Sequence, residues 1–142
     1  MNDDEIAQVG GLKLPVDLVA AIRDGRWVAP GDHDLLATVF TDRPVQPNFY
    51  GIDEIFGETT HWHAENDAET LAWYLGSPSN TDPPGDIDQQ RSVIIGDLGP
   101  DRPIALDYRP GLDVPSVVYL TSYNGWIEVA PNIESLLVRL RL

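Results

Sequence analysis

Four apolar runs of strand length, each closed by turn residues, fill the C-terminal half of the chain and restrict the folds open to it. They are Ser92-Val93-Ile94-Ile95-Gly96, Pro103-Ile104-Ala105-Leu106-Asp107-Tyr108, Ser116-Val117-Val118-Tyr119-Leu120 and Gly125-Trp126-Ile127-Glu128-Val129-Ala130. Runs rich in β-branched and aromatic residues, bounded by Gly, Pro and Asp, read as strands. The connections Asp97-Leu98-Gly99-Pro100-Asp101 and Arg109 to Pro115 are too short for a parallel crossover, so consecutive strands should pair antiparallel. Asn132 then caps a closing helix, predicted over 132–140, with Ile133, Leu136, Leu137 and Leu140 on one face. Arg139 and Arg141 in its last turn suit the helix dipole.

The N-terminal half reads differently. Residues 1–11 end in Gly10-Gly11 and predict a mobile lead-in, leaving 12–142 as a single domain. Pro15 suits a first helical turn, Leu14, Leu18, Ala21 and Ile22 recur at helical spacing, and Gly25 is a stop, which predicts a helix near 14–25. Leu35 to Phe40 fits a strand or a short helix equally. Residues 44–51, around Pro44 and Pro47, read as loop. Ile52, Ile55 and Phe56 suggest a helical turn stopping at Gly57. Asn66-Asp67-Ala68-Glu69 resembles an N-cap; Ala68, Leu71, Ala72 and Leu75 follow on one face before Gly76. Residues 77–90, with Pro78, Pro83, Pro84 and Gly85, predict a long surface loop. Helices first, then a strand meander, then one helix argue an α+β fold: an antiparallel or mixed sheet with helices packed on one side.

A length of 142 residues fits one domain, and a hydrophobic fraction of 42% is too high for a disordered chain. The absence of cysteine excludes disulfides, thiolate chemistry and Cys-based zinc sites. No run approaches the roughly 20 apolar residues of a membrane span. Met1-Asn2-Asp3-Asp4-Glu5 is acidic where a signal peptide would be basic, so a cytoplasmic location is expected. Twenty-three acidic against nine basic residues give a net charge of −14. Such a surface repels nucleic acid and anionic membranes and speeds encounter with a basic protein. Acidity also serves solubility alone.

Few residues suggest chemistry. On a strand, His61, His63 and Glu65 would project to one face, where two imidazoles and a carboxylate could hold zinc or iron; the alternative is a surface segment anchored by Trp62. Asp97, Asp101, Asp107 and Asp113 punctuate the strands. Paired carboxylates can do acid–base work, but Asp is also a turn former. Asp107 and Arg109 could pair across one strand position, as a structural link or a partner contact. Trp126 reads as a core anchor whose indole N–H bonds a carbonyl. No nucleophile elbow, phosphate loop or catalytic triad context is present. No catalytic residue, metal or cofactor is therefore expected. The exposed loop carrying Asp82, Asp86 and Asp88, together with Asp97 and Asp101, is the expected partner-binding region.

Pro84-Gly85-Asp86-Ile87-Asp88, Ile95-Gly96-Asp97-Leu98-Gly99 and Pro103 to Arg109 together resemble the SMI1/KNR4 family, also called the SUKH superfamily. Pro115-x-Val117-Val118-Tyr119-Leu120, Trp126 and the closing helix continue the likeness, which covers residues 84–142; Leu12-x-Leu14-Pro15 resembles the family's start. The resemblance implies an α+β fold and no shared catalytic residues. It gives Gly96, Asp97, Gly99, Asp107, Tyr108, Arg109, Pro115 and Trp126 structural roles. Many bacterial members look like immunity proteins that neutralise secreted toxins, often nucleases; fungal members are regulators. The expectation is an acidic, non-catalytic immunity or antitoxin-like protein that binds a basic cognate toxin. A regulatory or scaffold module with an endogenous partner is the alternative, and a metal enzyme using His61, His63 and Glu65 is a third.

Overall fold

The computed structural model describes residues 8–123 and 125–142. In chain order the elements are β1 (Gln8–Val9), β2 (Leu12–Lys13), α1 (Val16–Arg23), α2 (His33–Phe40), β3 (Asn48–Phe49), α3 (Ile52–Ala64), α4 (Ala68–Leu75), β4 (Pro84–Gly85), a 3-10 turn (Gln89–Arg91), β5 (Ser92–Asp97), β6 (Pro103–Asp107), β7 (Ser116–Leu120), β8 (Trp126–Ala130) and α5 (Ile133–Arg139). Six strands form one antiparallel sheet in the order β3-β5-β6-β7-β8-β4, and β1 pairs with β2 as a separate hairpin. The chain is α+β, as its segregated pattern implies.

The four C-terminal strands lie where the apolar runs predict them. β5, β6 and β7 are buried at nearly every position. Because side chains alternate between faces, both sides of these strands must be covered. Tyr119 and Trp126 show how. Tyr119 faces Ile127 in register and Leu120 faces Trp126, so the two aromatic rings point to opposite faces. Phe40 at the end of α2 meets Tyr119 edge-on at 5.4 Å. On the other face the Trp126 indole N–H donates to the Tyr74 carbonyl in α4 at 2.6 Å. α2 thus meets the sheet at Tyr119 and α4 meets it at Trp126.

The N-terminal half departs more from expectation. Residues 1–7 of the expected lead-in lie outside the described residues, and from Gln8 the chain forms the β1–β2 hairpin. Gly10 turns this hairpin at φ +58°, and a Cβ there would stand 2.6 Å from the His63 ring, so only glycine fits the approach. Leu35 to Phe40 is helical; Asp32 caps it by accepting from Asp34 N and Leu35 N. The stretch 44–51 contains β3, which pairs with Gly96 and Asp97. A Cβ on Gly96 would lie 2.9 Å from the Asn48 carbonyl oxygen, which explains the glycine inside a strand.

The helical turn expected to stop at Gly57 instead runs through it to Ala64, and the segment read as a possible strand, His61 to Glu65, is the end of α3. Ile55, Thr59 and Trp62 recur at helical spacing on its buried face, with Thr59 in a place an apolar residue would normally mark. That threonine has a purpose. Its Oγ1 accepts from Ile94 N at 3.0 Å and donates to Ile94 O at 3.5 Å. One turn on, His63 Nε2 donates to Ser92 O at 2.7 Å. α3 therefore lies along the part of β5 that β3 does not reach.

Candidate functional site

An open groove of about 780 Å³ lies between α3, α4 and the β5–β6 turn. α3 supplies its first wall. Glu58, His61 and Glu65 follow one another at three- and four-residue spacing, so they share the helix face next to the buried one. Trp62 closes the floor, its indole N–H donating to Ser92 Oγ at 2.8 Å. α4 supplies Thr70 and Tyr74, one turn apart; Asp67 caps this helix, accepting from Thr70 N at 3.0 Å. Tyr74 stands against Trp62 with ring centroids 6.3 Å apart and planes at 72°. The remaining rim comes from Gln46, Asn48 and Tyr50 around β3, and from Asp97 to Pro103 at the β5–β6 turn.

Two tyrosine–aspartate pairs fix the far rim. Tyr50 Oη donates to Asp97 Oδ2 at 2.5 Å, and Asp97 Oδ1 accepts from Gly99 N at 3.0 Å. Burial pushes the Asp97 carboxyl above its usual range, against the lowering effect of these two hydrogen bonds. Burial, followed by the hydrogen bond to Asp97, raises the Tyr50 phenol as well. Tyr74 Oη donates to Asp101 Oδ1. The Tyr74 phenol is pushed up to about 12, first by burial and then by that carboxylate. Four carboxylates, Glu58, Glu65, Asp97 and Asp101, face one guanidinium, that of Arg102. Arg102 turns away to donate to the Arg43 carbonyl at 3.4 Å. The groove is a cation-attracting surface with aromatic walls.

Of the residues expected to bind a partner, Asp97 and Asp101 meet in this groove and the other three lie elsewhere. Asp82 is exposed and lines a separate depression of about 430 Å³ with Ser79, Thr121 and Tyr123. Asp86 accepts from Arg109 Nη1 at 2.9 Å through its side chain, and its carbonyl accepts from Nη2 at 2.9 Å. Asp88 caps the 3-10 turn by accepting from Gln90 N at 3.0 Å. The stretch 77–90 is thus no simple surface loop. It contains β4, which pairs with β8, and Ile87 is buried.

The other motif residues knit the fold. Asp107, with 4% of its surface exposed, takes Arg109 Nε at 3.1 Å and Nη2 at 3.1 Å, so one guanidinium joins two carboxylates. Burial works against the Arg109 charge, but Asp107 and Asp86 more than offset it and hold its pKa above the usual value. Tyr108 is buried and donates to the Lys13 carbonyl at 2.7 Å, tying β2 to the sheet. Gly99 takes φ +147° in the turn, and Pro115 is buried just before β7.

The metal-enzyme alternative loses the strand geometry it needed. On a helix His61 and His63 point about 200° apart rather than to one face. His61 instead stands 3.7 Å from Glu65, one turn away, and His63 is engaged with Ser92 O. Among the described residues no group of three His, Asp or Glu side chains is placed to hold a metal ion.

Sequence reasoning missed Glu58, Tyr50 and Tyr74. The spacing of Glu58, His61 and Glu65 could have found the α3 wall had the helix been extended through Gly57. Nothing local to residues 50 or 74 announces that their hydroxyls reach aspartates 47 and 27 positions away. Among the described residues no helix is long and apolar enough to cross a membrane. Comparison of the chain with models of known protein families, with curated proteins and with solved structures finds no match.

Proposed function

We propose that the chain is a non-catalytic protein-binding domain of the SMI1/KNR4 kind, an immunity protein that neutralises a cognate toxin in the cytoplasm, and that the α3–α4 groove is its contact surface. The observation that carries this reading is the set of four carboxylates around an open, aromatic-walled groove, with the single guanidinium turned aside. A toxin that acts on nucleic acid must itself be basic to hold phosphate. An acidic protein competes for that same surface, and its overall charge of −14 speeds the encounter.

Coexpression with the product of the neighbouring open reading frame tests the proposal. Rescue of growth and co-purification of the two chains are expected. Replacing Glu58 and Asp101 by their amides should lower the association rate and its salt dependence more than it raises dissociation. Capture of a resident cellular protein without rescue would instead make the chain a regulatory module. Undiminished association by the double variant would move the contact surface away from the groove.

A further inference from the structure

The charge of the groove says which sign of ligand it attracts; the arrangement of its walls says more. Trp62 and Tyr74 meet nearly at right angles, and neither ring is free to swing. Trp62 is tied to Ser92 through its indole N–H, and the Tyr74 backbone is tied to the sheet through Trp126. The acceptors are equally set. Tyr74 holds one oxygen of Asp101 and leaves the other over. Glu58 makes no hydrogen bond or ion pair among the described residues. A part-exposed Tyr74 ring, set on the buried Trp62, beside unused carboxylate oxygens suits a flat cation that can stack and donate in a fork at once. An ammonium is compact and strongly hydrated and does only the second. A phosphate or carboxylate ligand would be repelled. A volume of about 780 Å³ exceeds the needs of one side chain and accommodates the backbone that carries it.

We propose that the groove recognises an arginine side chain on a basic protein segment, with the guanidinium against the Tyr74 ring above Trp62 and bonded to Glu58 and Asp101. This rests on the protein-binding reading and adds the residue type that is recognised. The partner's arginine then becomes the anchor of the contact, and the surrounding acidic surface the source of speed.

The test titrates the isotopically labelled chain at low salt with acetyl-Gly-Arg-Gly-amide, and with the lysine and citrulline peptides of the same frame. The resonances followed are the Trp62 indole N–H and the Thr70 amide. A saturable shift at both is expected with arginine. Binding at least about fivefold weaker is expected with lysine, and none with citrulline, which keeps the shape and loses the charge. Glu58→Gln with Asp101→Asn should abolish the shift. Asp113→Asn, which removes one charge from the exposed turn before β7 as Glu58→Gln removes one from α3, should preserve it. Asn tolerates the left-handed backbone of residue 101, at φ +63°. If the double variant melts early, Glu58→Gln alone on its exposed helix face carries the comparison. Equal binding of lysine and arginine, binding of citrulline, or no saturable shift would each overturn the proposal. The titration needs no cognate partner, so a failure of toxin rescue and a failure of arginine recognition are separate results.

Discussion

Asp97 and Asp107 sit at opposite ends of the same β5–β6 pair, and the chain treats them in opposite ways. Asp107, at the open end, is sealed in and shares the Arg109 guanidinium with Asp86. Asp97, at the turn end, is half-buried and receives a hydroxyl and a backbone N–H but no cation. A buried carboxylate with a matched cation is committed to the fold, since removing either partner strands the other. A carboxylate held only by neutral donors keeps its charge available to whatever enters the groove. In a chain with so large an acidic excess, pairing rather than position in the sequence separates structural aspartates from usable ones.

Trp126 belongs to both ends, because it packs on the Asp107 face of the sheet and holds the Tyr74 wall of the groove. We expect Trp126→Ala to have the largest effect, a loss of about 4 kcal/mol in a denaturant titration. An unaltered midpoint would detach the groove from the core. Arg109→Ala should cost about 3 kcal/mol, the low end for breaking a buried pair, because its side chain keeps 29% exposure. A loss well under 1 kcal/mol would erase the distinction between the two ends. Tyr50→Phe should cost about 1 kcal/mol, the worth of one hydrogen bond to a part-buried acceptor.

Asp97→Asn is the smallest and most discriminating change. The native carboxyl of Asp97 has a raised pKa, so the folded chain takes up this proton at a higher pH than the unfolded chain does. Ionised Asp97 therefore opposes folding at neutral pH, and that opposition fades as pH falls through the native pKa. The amide should melt slightly higher than the parent at pH 7, with the gap closing in acid. A lower melt at pH 7 would mean that Asp97, like Asp107, holds the fold together.

What could be read in advance follows from how each element encodes itself. β5 to β8 were legible because each is a mostly apolar run between turn residues, and the double-sided burial of β5, β6 and β7 makes those runs dense. α5 was legible from Asn132 and its apolar spacing; the Asn132 side chain accepts from Ser135 N at 2.8 Å. α3 was not, because Gly57 interrupts it and the polar Thr59 occupies a core position. β3 and β4 are two residues each and exist only through their partners, Gly96–Asp97 and Trp126–Ile127. The groove was half visible: Asp97 and Asp101 stand out as turn aspartates, but its walls join residues from 46 to 103 that only the tertiary fold brings together.

The placement of α3 beside β5 bears on the fate of the chain when it is stressed. Ser92-Val93-Ile94-Ile95 is short, apolar, uncharged and free of proline, the makeup of segments that template strand addition and fibril growth. Thr59 and His63 occupy the backbone groups at Ile94 and Ser92 to which an intruding strand would dock. The helix acts as a plug, and a plug that lies across a strand can be lifted without unfolding the sheet beneath. Fraying of α3 would leave a sticky edge on an otherwise native molecule, so self-association in this chain should begin from a nearly folded state rather than from the unfolded one.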